Sequence, residues 1–97
     1  MIQLNDRFAK SGQVVERTIG GERLLVPLGT SQARLDGMYS LNELAGAIWD
    51  QAVSGKTAQQ IVESMTQAYD VQTDKAASDV LRTLSELVEA GALALDH

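Results

Sequence analysis

The chain has no cysteine, one histidine, one proline, one tryptophan, two tyrosines and one phenylalanine in 97 residues. Without cysteine there is no disulfide, thiol nucleophile or thiolate metal site. The histidine is His97, at the very end, with no orienting partner in its neighbourhood, so no Ser-His-Asp set can be assembled. Carboxylates are spread along the chain without metal-ligand spacing. The glycines make no phosphate loop either: Gly20-Gly21 is not followed by Lys-Ser/Thr, and GTSQARLDG (29–37) lacks a GxGxxG spacing. The expectation is a protein with no catalytic residue, no metal site and no cofactor. MIQLNDRF at the start lacks the basic and apolar regions of a signal peptide, and no apolar run nears the ~20 residues of a membrane span, so a cytoplasmic protein is expected. Basic charge is scarce as well. The net charge is -5, and no Lys or Arg occurs from Thr57 through Asp74, which opposes a binder driven by nucleic-acid phosphates.

What is present is ordinary globular material, 44% apolar and 22% charged. A chain of this length forms one compact domain that buries roughly 60 to 65% of its unfolded surface. We expect a single domain over 1–97, with 1–12 as a flexible N-terminus. VVERTI, Gly-Gly and ERLLVPL (14–28) read as a hairpin whose glycines supply the positive φ angles of a two-residue turn, which sets Val15 opposite Val26. Pro27 cannot donate to a ladder and belongs near the strand end or on its unpaired side. After the connection GTSQARLDG, a third short strand is expected at Met38 to Leu41.

The second half is helical by period. Asn42 caps a first helix with the stripe Leu44, Ala45, Ile48, Trp49, Ala52 and Val53, ended by Gly55. Gly46 inside it costs about 1 kcal/mol against alanine, so either a close helix contact or chance put it there. Thr57-Ala58-Gln59-Gln60 is a capping-box pattern, followed by Ile61, Val62, Met65, Ala68 and Tyr69 at helical spacing. Thr73 is expected to cap a third helix with Asp74 near its positive end and the stripe Ala76, Ala77, Val80, Leu81, Leu84, Leu87 and Val88, closed by Gly91. Ala92 to Leu95 is too short for a helix and reads as an extended tail.

The order β-β-β-α-α-α, strands segregated from helices, predicts an α+β fold with a small antiparallel sheet followed by a three-helix bundle, a winged-helix-like arrangement. Such topology also admits a DNA-binding regulator. Its presumed recognition helix, however, sets Asp74, Asp79, Glu86 and Glu89 against only Lys75 and Arg82, and would repel a major groove. A further alternative is a structural subunit of an enzyme complex. The open edge of the small sheet offers a third possibility: it can be completed by an extended peptide or by a second copy of the chain, giving a homodimer.

GERLLVPL, SLNELAGAIWD, GKTAQQIVESM, the YDV turn and DVLRTLSELVEAGAL, in this order and spacing from about Val14 to Leu95, resemble the PqqD family, named for coenzyme PQQ (pyrroloquinoline quinone) biosynthesis. The resemblance implies a winged-helix-like, non-catalytic peptide chaperone. Members bind the leader of a ribosomally made precursor peptide as an extra strand and present it to a modifying enzyme, often of the radical SAM type; nucleic acid and membrane are not among the implied partners. Carried onto this chain, the peptide-binding edge is Met38, Tyr39, Ser40 and Leu41. The groove wall is Ala76, Val80, Thr83 and Leu87, where the small residues at 76 and 83 leave room for an inserted side chain. Val80 and Leu87 also read as plain core, since a helical apolar stripe is core by default. The connection GTSQARLDG is longer than the tight hairpin of the pyrroloquinoline quinone proteins.

Overall fold

The structure is a computed structural model that describes residues 2–12, 14–28 and 39–96. A hairpin of β2 (Val14–Ile19) and β3 (Glu22–Pro27) turns at Gly20-Gly21, whose φ angles of 59° and 82° lie where side-chain-bearing residues are strained. Val15 faces Val26, the register that counting out from the turn predicts, and Pro27 closes its strand. β4 (Tyr39–Leu41) adds antiparallel to β3, pairing Leu25 with Tyr39 and Arg23 with Leu41. The sheet order is β2-β3-β4, so β4 is an edge.

α1 (Glu43–Val53) begins where Asn42 Oδ1 accepts the Ala45 N–H at 2.8 Å, the expected cap. α2 (Ala58–Ala68) carries the complete capping box: Gln60 N–H donates to Thr57 Oγ1, and Thr57 N–H donates to Gln60 Oε1. α3 (Thr73–Glu89) starts one residue earlier than expected. Its cap position is Gln72, with no side-chain bond, and Thr73 is already helical. The loss is small, because Asp74 still lies in the first turn near the helix's positive end.

The ends of the chain overturn one expectation. Residues 2–12 are not a free tail: β1 (Arg7–Lys10) pairs antiparallel with β5 (Leu93–Asp96), matching Phe8 with Leu95, and makes a second, two-stranded sheet. Ile2 and Phe8 are buried. The backbone just before β1 also serves α2, since Asp6 O and Leu4 O accept the N–H groups of Ala58 and Gln59 at 3.0 and 2.8 Å. Those donors are orphaned at any helix start, which is why an outwardly polar segment is held here. The tail after Gly91 is thus a strand, its extended form correct and its partner unforeseen.

All three helices and both sheets contribute to one core, centred on Leu25, Ile48, Trp49, Ile61, Val80, Leu84 and Leu87. Burying each of these large apolar side chains contributes about 1.5–3 kcal/mol. The expected stripes face it except at their margins, Val53 and Ala68, which are exposed. Among the described residues no helix is long and apolar enough to cross a membrane, and no group of three or more His, Cys, Asp or Glu is placed to hold a metal ion.

Candidate functional site

Strand alternation divides β4 between two faces. Tyr39 and Leu41 point inward with their partners Leu25 and Arg23; Leu41 is buried and Tyr39 half-buried. Ser40 points outward and donates its hydroxyl to Glu22 Oε1 at 2.8 Å. Desolvation raises the Tyr39 pKa, and the nearby Glu86 charge on α3 adds to the shift. With β3 on one side, β4 leaves its other backbone edge unpaired among the described residues.

Beside the strand's end lies an apolar cleft of about 440 Å³ where three helix ends converge. Leu44 and Ile48 come from the start of α1, Met65 and Tyr69 from the end of α2, and Ala76 and Val80 from the first half of α3. Val71 closes it between the last two helices, and Asn42, Glu43, Lys75 and Asp79 complete the lining. Its cation is committed: Lys75 Nζ lies 3.1 Å from Asp79 Oδ2, whose other oxygen is 3.5 Å from Arg82. The surroundings of an apolar hollow with few polar groups suit a bulky hydrophobic side chain.

Of the residues expected to bind, Ala76 and Val80 line this cleft, both nearly without solvent exposure. Thr83 and Leu87 lie further along the same helix flank, buried, and line no part of it. Leu87, with no exposure at all, is core. Tyr39, Ser40 and Leu41 form the edge strand, and Met38 lies outside the described residues. Leu44, Ile48, Met65, Tyr69 and Val71 were missed as cleft residues. Their helical spacing marked the first four as core, and only the convergence of helix ends turns one side of each toward a hollow.

A second feature anchors the strand region. Arg23, opposite Leu41, bonds Asp50 Oδ1 at 2.7 Å and Glu16 Oε2 at 2.8 Å, and Glu16 Oε1 accepts the Trp49 indole N–H at 3.0 Å. These bonds, to Asp50 first and Glu16 next, raise the Arg23 pKa further, so the guanidinium stays charged. It lies on Gly46, where an added Cβ would stand 2.9 Å from Arg23 Nη1, so the helix glycine meets a side chain from β3 and not another helix.

None of the curated proteins compared with this chain matches it. Two solved structures do. The chain is 25% identical to TbiB1 in complex with the TbiA(beta) leader peptide, with a TM-score of 0.72 over 88% of this chain and 93% of that one. It is 17% identical to lasso peptide synthetase B1 complexed with the leader peptide, with a TM-score of 0.77 over 91% and 98%, a likeness of fold. The three-stranded antiparallel sheet and three helices therefore form the α+β fold of these proteins. The sequence pattern of coenzyme PQQ synthesis protein D matches residues 22–93, a span running from the start of β3 through the first residue of β5 and including the edge strand and every helix that lines the cleft; the chain belongs to the PqqD family.

Proposed function

We propose that this protein is a non-catalytic adaptor that binds the leader of a ribosomally synthesised precursor peptide and presents it to a peptide-modifying enzyme, of the radical SAM type, in the cytoplasm. The leader adds as a strand to Tyr39–Leu41, and one of its apolar side chains enters the cleft against Ala76 and Val80. The observation that carries this reading is the edge of β4, unpaired among the described residues, whose strand ends at an apolar hollow walled by α3. Backbone hydrogen bonds along an added strand give affinity, and a pocket for one side chain gives selectivity. Two structures of the same fold complexed with leader peptides support the choice of ligand. The acidic helix α3 remains a poor match for DNA.

Amide chemical-shift mapping with the leader of a precursor encoded beside this gene tests the reading. Tyr39, Ser40, Leu41, Ala76 and Val80 should shift together on saturation. If those amides stay in place at saturating leader, strand addition at β4 is wrong. A homodimer formed through the same edge would compete with the leader, and its dissociation on adding leader would be visible by light scattering.

A further inference from the structure

The apolar cleft does not end at the start of α1. A second, shallower recess of about 530 Å³ is lined by Gly20, Gly21, Glu22 and Arg23 of the hairpin turn and by Ser40, Leu41, Asn42 and Glu43. It shares Asn42 and Glu43 with the cleft, so the two hollows meet at the strand-to-helix corner. Their chemistry differs. The cleft is walled by hydrocarbon, whereas the recess carries the carboxylates of Glu22 and Glu43 and one cation, Arg23. That cation is already held by Asp50 and Glu16. Among the described residues Glu22 accepts only the neutral Ser40 hydroxyl, and neither Glu22 nor Glu43 has a cationic partner. The glycines of the turn leave the far wall bare of side chains.

We infer that this recess is a second subsite, which takes a lysine or arginine side chain of the bound peptide while an apolar residue of the same peptide fills the cleft. The inference rests on strand addition at β4. Alternation along an added strand supplies the spacing: the cleft-filling residue points inward with Tyr39 and Leu41, and the basic residue points outward with Ser40 and Glu22. The two therefore stand an odd number of positions apart. A basic residue here would speed encounter with this acidic chain and set the register of a short edge that its own three residues specify weakly.

The test is selection of a phage-displayed library of random dodecapeptides against the full chain, followed by affinity measurements on synthetic copies of the enriched peptides. Enriched sequences should share a bulky apolar residue with Lys or Arg one or three positions away. Glu22→Lys and Glu43→Lys should each weaken such a peptide roughly tenfold, because an attraction is lost and a repulsion of similar size gained. Replacing the peptide's basic residue with Glu should restore binding to the Glu43→Lys protein. Both side chains are exposed, so the variants fold. Peptides that shift the amides of Leu44 and Ala76 yet show no basic preference and no response to either reversal would overturn the subsite and leave strand addition standing. If selection enriches no peptide that shifts those amides, both fall.

Discussion

Trp49 and Tyr39 flank the same strand-to-helix corner in unlike surroundings. Trp49 is 1% exposed, packed in the core with its indole N–H on Glu16, while Tyr39 is half-buried at the sheet edge with Glu86 nearby. Trp49→Ala should therefore cost about 3–5 kcal/mol in denaturant unfolding, the usual range for a buried large aromatic. Tyr39→Ala should cost clearly less and weaken leader binding instead. Equal losses of stability would refute that division of roles. At this scale the sequence was informative: the spacing of Ile48-Trp49 inside a helical stripe marked the tryptophan as core. The hydrogen bond to Glu16 was not legible, because the two residues belong to different elements and meet only when α1 lies on the hairpin.

That seating of α1 on the sheet is a property of elements. Arg23 reaches from β3 across Gly46 to Asp50, so the helix can approach only where it has no side chain. In an open helix position Gly→Ala gains about 1 kcal/mol. Here the new methyl must displace a guanidinium held on both sides, and Gly46→Ala should be neutral or destabilising. In an Arg23→Ala background the same change should stabilise by about 1 kcal/mol. Thermal melts of the four proteins give the coupling; strict additivity would mean that Arg23 moves aside freely. The elements themselves were legible because their signals are local. The Gly-Gly turn, Asn42, the Thr57–Gln60 box and the helical stripes act over three or four residues, and each appears where expected. The Thr73 cap missed by one position, since Gln72 takes that place without a side-chain bond and packing of the stripe decides where the helix starts.

Over the whole molecule two strands far apart in the sequence are joined. β1 and β5 pair across nearly the full sequence, and the residues ahead of β1 cap α2. Phe8→Ala should thus behave like a core mutation, losing about 3–5 kcal/mol by urea unfolding; a change within ~0.5 kcal/mol, as at an ordinary surface position, would mean that the N-terminal strand is dispensable. Nothing near Phe8 announced this: one buried side chain in a four-residue strand is too brief a period to read, and its partner lies at the opposite end. The same distinction governs the site. The amino-acid sequence alone determined the order of β2, β3, β4 and the three helices, the β2–β3 register, the caps of α1 and α2 and the identity of the core stripes, because turn chemistry and side-chain periodicity are short-range. Tertiary structure alone decided that three helix ends meet in an apolar hollow, that Ala76 and Val80 border it while Leu87 belongs to the core, and that Glu22 and Glu43 share a recess. Those depend on how elements distant in the chain come to rest against each other, which no local pattern encodes.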